Sequence, residues 1–126
     1  LLNTPPCWCI YMLSLQLDWL LEQGGVEAMA ERKARRAAKL YELLDSSRLY
    51  IPRAKEGSRS DMNITFRTPS AALDAQFVSG AAERGLMNLK GHKATGGIRA
   101  SLYNAMPMEG VDALARYMRE FEKEHT

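Results

Sequence analysis

The sequence predicts a small layered α/β (α+β) fold, with helices packed on a small antiparallel or mixed sheet, and three observations lead there. Apolar residues recur at helical spacing in some stretches, they alternate residue by residue in others, and prolines or glycines punctuate the intervals. A chain of 126 residues, 46% hydrophobic and 25% charged, is one domain's length and can bury a core without a metal or disulfide. Helices on one layer and strands on another then bury each other's apolar faces.

The elements follow in order. "NTPP" disfavours helix before each proline, so Asn3 to Pro5 should be extended and the first helix should begin at or just after Pro6. Ile10, Leu13, Leu17, Leu20 and Leu21 give that helix a broad apolar face, and Gly24-Gly25 stops it. A second helix is expected from Val26 to Leu44, with Val26, Met29, Ala30, Ala34, Ala37, Tyr41 and Leu44 inward. Its basic run, Arg32 to Arg36, shares those turns with Glu27 and Glu31 and has no interleaved aromatics to stack bases, so it reads as a solvated face.

A polar interval around Pro52 and Gly57 allows a short strand at Leu49 to Ile51. In "MNITFRTP", Met62, Ile64 and Phe66 point one way and Asn63, Thr65 and Arg67 the other, which marks a half-buried strand ended by Pro69. Ser70 can cap a helix that faces Ala71, Leu73, Phe77 and Ala81 inward and ends near Gly85. Ile98, Ala100 and Leu102 alternate as another strand, and after Pro107 a last helix from about Glu109 buries Val111, Leu114, Met118 and Phe121.

The formal net charge of +2 gives no reason to expect a nucleic-acid or membrane partner. The apolar stretch from Cys7 to Leu21 is interrupted by Gln16 and Asp18 and lacks a basic leader or cleavage site, so it reads as neither a membrane span nor a signal peptide. Cys7 and Cys9, one residue apart, would make a strained disulfide and have no paired histidine for a metal. They read as buried or reduced structural thiols, in keeping with a cytoplasmic setting, and no metal site is expected.

"GHKATGGIRASLYNAM" sets His92, Lys93 and Arg99 around glycines that bare backbone N–H groups, an arrangement suited to an anion. His92 and Lys93 can donate to a phosphate, and Arg99 can grip a carboxylate with its planar fork. They can equally be turn and surface residues. Asn3 and Thr4 leave the same choice between donating to a phosphate and capping the first helix. No nucleophile with its base, and no carboxylate pair, has recognisable catalytic spacing.

"NTPPCWCIYMLSLQLDWLLEQGG", "RSDMNITFR" and "LMNLKGHKATGGIRASLYNAMPMEGVDALARYMREFE" together resemble the C-terminal part of the phosphoserine aminotransferase family, pyridoxal-phosphate enzymes of fold type I in the class V aminotransferase group. The resemblance implies a cofactor-contacting segment and interdomain helix over residues 1–25 and a C-terminal small domain over 26–126. It places the Schiff-base lysine in a large domain upstream, and none of Lys33, Lys39, Lys55, Lys90, Lys93 or Lys123 matches it. The chain by itself is then expected to be inactive, with no catalytic residue of its own.

The activity so implied is amino-group transfer between glutamate and 3-phosphohydroxypyruvate, giving phosphoserine and 2-oxoglutarate in serine biosynthesis, with a possible second use in pyridoxine biosynthesis. The partners implied are a second copy of the chain, in a homodimer, and these small molecules. Asn3 and Thr4 match residues that reach the cofactor phosphate of the neighbouring subunit, His92 and Lys93 match the substrate-phosphate pocket, and Arg99 matches the residue that holds the α-carboxylate. Where the family commonly has arginine, this chain has Lys93, which keeps the charge and loses the fork. A non-catalytic anion-binding or dimerisation module of the same fold, or another class V aminotransferase, are the competing expectations.

Overall fold

A computed structural model describes residues 2–126, which divide into two units, one up to Arg32 and one over Lys33–Thr126. In the first, α1 (Cys7–Glu22) starts directly after Pro6, whose fixed φ suits a helix entrance. No α1 side chain is buried; Trp8, Ile10, Tyr11, Leu13, Leu17 and Leu21 are all exposed. Cys7 and Cys9 are free thiols and exposed, which corrects the expectation of burial. α2 (Gly25–Ser46) runs across the division between the units.

The second unit is built on a three-stranded antiparallel sheet of β1 (Ile51–Pro52), β2 (Asn63–Arg67) and β3 (Ile98–Ser101), in sequence order. Thr65 pairs with Arg99 and Ile64 with Ala100, so Ile64, Phe66, Ile98 and Ala100 all point to the core face. Thr65 and Arg99 share the opposite face. α3 (Ala71–Glu83) opens with the expected cap, Leu73 N–H donating to Ser70 Oγ at 3.2 Å. α4 (Met108–His125) buries Val111, Leu114, Met118 and Phe121, the spacing read from the sequence.

Phe77 sits at the centre of an aromatic group, with ring centroids 5.8 Å from Tyr50, 5.9 Å from Phe66, 4.8 Å from Tyr117 and 5.1 Å from Phe121. The buried phenols keep partners: Tyr50 donates to the Met118 carbonyl and Tyr117 to that of Phe77, each at 2.9 Å. Burial pushes the ionisation of both hydroxyls upward, so they remain donors. Tyr117 also fixes its neighbour in α3: a Cβ at Gly80 would lie 2.7 Å from the Tyr117 hydroxyl.

α2 packs differently from its sequence pattern. Met29, Ala37, Tyr41 and Leu44 are buried as expected, joined by Leu40 and Leu43, whereas Val26, Ala30 and Ala34 are exposed. Arg36, expected on a solvated face, is 3% exposed, its Nη1 donating to the Tyr103 and Asn104 carbonyls at 3.0 and 3.1 Å and reaching that of Met106. The guanidinium closes the turn that follows β3, and those charge-assisted bonds compensate its burial.

Below Tyr41, Arg59 forks onto Asp45, with N–O distances of 2.7 and 2.5 Å. Hydrogen bonding from Arg59 holds the Asp45 carboxyl below its ordinary range. Because the folded value lies below the unfolded one, the pair stabilises at neutral pH and loses that contribution as pH falls through the carboxylate range. Asp45→Asn is therefore expected to narrow its stability deficit relative to the parent below about pH 4 in urea titrations. A deficit independent of pH would contradict this.

Candidate functional site

The anion loop is the tip of a hairpin. Lys90 pairs with Ile98, Gly91 N–H donates to Gly97 O at 2.8 Å and Arg99 N–H to Leu89 O at 2.8 Å, so residues 89–91 and 97–99 form its stem. Across the tip, Thr95 and Gly96 N–H both donate to the His92 carbonyl, at 3.0 and 2.8 Å. Two glycines make this closure sterically possible. A Cβ at Gly91 would lie 2.1 Å from Gly96 O, and Gly97, at φ +73°, would drive one to 2.8 Å from Phe66 O.

His92 and Lys93 sit on this tip with exposed side chains. Ala94 N–H donates to His92 Nδ1 at 3.2 Å, which makes that nitrogen an acceptor. A neutral His92 ring therefore carries its proton on Nε2, the nitrogen free to donate to a ligand. His92 and Lys93 line a hollow of about 610 Å³ together with Gly96, Gly97, Asp74 and Val78. The one carboxylate there is engaged, since Asp74 Oδ1 accepts from Thr68 N–H at 2.7 Å and Thr68 Oγ1 at 2.9 Å. Lys93 and the His92 Nε2–H are donors open to an anion there, and Lys90 and Ser79 line the same hollow.

Arg99 lies two residues down the stem from Gly97, about 7 Å along the strand. It lines a separate hollow of about 530 Å³ with Leu89, Ser101, Tyr103, Met106 and Leu114. Its Nε is buried and has no hydrogen-bond partner. A buried donor left unpaired is costly to the fold. The structure thus sets His92 and Lys93 at the tip and Arg99 on the stem of one hairpin, in two different hollows.

Asn3 and Thr4 are exposed, and the N-cap of α1 is Pro6 with no side-chain capping bond, so the capping alternative is not realised. Sequence reasoning missed Arg53. Its Nη1 donates to the Thr95 carbonyl on the loop, 42 residues away in the chain, which no local pattern signals. Among the described residues no cluster of His, Cys, Asp or Glu could hold a metal, and no helix is long and apolar enough to cross a membrane.

The class-V aminotransferase profile matches residues 2–114. Phosphoserine aminotransferase of Geobacillus kaustophilus is 53% identical over 124 residues, covering 98% of this chain and 34% of the relative. That of Bacillus cereus is 51% identical over 125 residues, covering 99% and 35%. Among solved structures, phosphoserine aminotransferase from Bacillus circulans superposes with a TM-score of 0.94 at 41% identity, over 98% of this chain and 35% of that one. The PLP-bound enzyme from Trichomonas vaginalis gives 0.87 at 42% identity, over 93% and 34%. The chain spans about a third of the length of these relatives. Matched over most of its length by the family profile, the chain belongs to the class-V aminotransferases.

Proposed function

We propose that this chain is the C-terminal portion of a phosphoserine aminotransferase, acting within a larger enzyme that exchanges an amino group between glutamate and 3-phosphohydroxypyruvate. The observation that carries the reading is the hairpin itself. Phosphoserine and glutamate share an α-carboxylate and differ at the far end, where one bears a phosphate and the other a carboxylate. A fork at Arg99 for the common α-carboxylate and a separate multi-donor tip at His92 and Lys93 for the far anion would suit both molecules. Uniform orientation is what amino-group exchange between two substrates requires.

Pyridoxal phosphate suits the donor set, since Asn3 and Thr4 present short polar side chains with no capping duty and can reach a phosphate. When bound, the cofactor supplies the electron sink for transamination. What this chain supplies is grip: Asn3 and Thr4 on the cofactor phosphate, His92 and Lys93 on the substrate's far anion, Arg99 on its α-carboxylate. The chain by itself is inactive on this reading, its cofactor lysine lying in a large domain outside it. The apolar side chains left uncovered on α1 favour packing against further protein, in line with a large domain and a homodimer. A cytoplasmic setting, serine biosynthesis and a second role in pyridoxine biosynthesis complete the reading.

His92→Ala in the full-length enzyme tests it. The variant loses one charge-assisted donor, a cost of about 1.5–3 kcal/mol, and KM for phosphoserine should rise at least about tenfold. Glutamate, whose far carboxylate asks for fewer donors, should suffer less. Equal losses for the two substrates, measured in separate half-reactions, would sink the assignment of the tip to the phosphate.

A further inference from the structure

We propose that Arg53 is a positioning residue for the anion loop: by holding the Thr95 carbonyl it fixes the hairpin tip so that His92 and Lys93 present their donors as a set. The proposal rests on the reading of that loop as the phosphate pocket, and adds to it a residue from a different part of the chain.

Three observations converge. Within the tip the bonds run from loop to loop: Thr95 and Gly96 to the His92 carbonyl, Ala94 to His92 Nδ1 and Gly91 to Gly97. These bonds shape the loop and join it to the hairpin stem, but none of them reaches the far side of the sheet at β1. Arg53 supplies that missing tether, with Nη1 donating to Thr95 O. The anchor is itself held, because Arg53 N–H donates to Thr65 O at 3.1 Å immediately after β1, and Thr65 is the cross-strand partner of Arg99. Finally, the guanidinium lies against the tip, with Arg53 Nη1 3.6 Å from where a Cβ on Gly97 would stand, an ordinary contact distance.

The geometry therefore ties both grips to one row of the sheet. Arg53 just past the end of β1, Thr65 on β2 and Arg99 on β3 follow one another across the sheet, with the tip hung from the first and the carboxylate fork carried by the last. A hairpin tip rich in glycine samples many orientations unless something outside it fixes one. A mobile tip still offers positive charge, but it places its donors around a phosphate only part of the time, and apparent affinity falls by that fraction. Arg53 also adds a positive charge beside the loop; Arg53→Lys keeps the charge and loses the planar fork, which separates the two contributions.

The test compares Arg53→Ala and Arg53→Lys with the parent in the full-length enzyme. Amide hydrogen exchange is read at Thr95 and Gly96 without substrate, with the stem amide of Arg99 and the amide of Leu102, which donates to Met62 O, as controls. Arg53→Ala should speed exchange at Thr95 and Gly96 by about tenfold and leave the controls unchanged. KM for phosphoserine should rise by about five- to tenfold with kcat within twofold, glutamate should be affected less, and Arg53→Lys should recover only part of the loss. Unchanged exchange at the tip, or equal acceleration at the controls, would overturn the proposal. So would full recovery of KM by lysine while exchange at Thr95 and Gly96 stays fast, which would mean that charge alone matters. A parent enzyme that exchanges as expected yet fails to transaminate phosphoserine would refute the proposed function and leave the positioning role standing on the exchange data.

Discussion

Arg99→Ala is expected to lower kcat/KM for glutamate and for phosphoserine alike, by about two to three orders of magnitude in the full-length enzyme. On the proposed function two parallel charge-assisted bonds to a carboxylate are lost, and about 3–4 kcal/mol of binding in the correct orientation goes with them. Both substrates carry the same α-carboxylate, so the losses should match within a few-fold, in contrast to the unequal losses of His92→Ala. Arg99→Lys should recover little, since a single ammonium cannot reproduce the fork. The fold should be indifferent, because Arg99 Nε has no partner to lose and its removal relieves a buried unpaired donor. Half-reaction kinetics with each amino acid, alongside a urea titration, check both statements. A substrate-selective loss would show that Arg99 does not hold the common group, and a large fall in stability would show that it serves the core.

The largest effect on folding is expected from Phe77→Ala, at about 3–5 kcal/mol. Phe77 is fully buried, and four aromatic rings lie within 6 Å of its centroid. Those rings belong to β2, α4 and the segment before β1, so the cavity has walls on several elements that cannot all move inward together. Domains of this size are stable by about 5–15 kcal/mol, so the substitution takes a large part of the margin. Equilibrium urea unfolding measures it, and a loss below about 1.5 kcal/mol would mean that the rings collapse into the gap.

How much of this was legible in the sequence depends on how far each feature's cause lies from it along the chain. The alternation of Ile64 and Phe66 fixed β2 because a pleated strand has only two faces, and the Ser70 cap was legible because its partner is three residues away. α2 was read in the wrong phase at its start. Alanines at 30 and 34 carry too little apolar surface to choose a face, and what turns Arg36 inward is a set of carbonyls at 103–106, which local periodicity cannot register. The same holds at the site: His92, Lys93 and Arg99 lie within one quoted stretch, whereas Arg53 joins them from the other end of the sheet. Fold and family resemblance were therefore readable in advance, and the tether was not.

The fit of Gly80 against the Tyr117 hydroxyl bears on the order in which this protein's descendants can change. With the ring 2% exposed and wedged against Phe77, the hydroxyl has nowhere to retreat from a new methyl at 80. Loss of the hydroxyl to phenylalanine would leave the nearest ring carbon 3.6 Å from that methyl, an ordinary contact. A lineage can reach alanine at 80 with phenylalanine at 117 through an intermediate that has lost the hydroxyl, whereas the opposite order passes through a clash. Helix propensity favours that alanine, so the tyrosine holds the glycine in place as a historical constraint, and the two positions should be free to drift only as a pair.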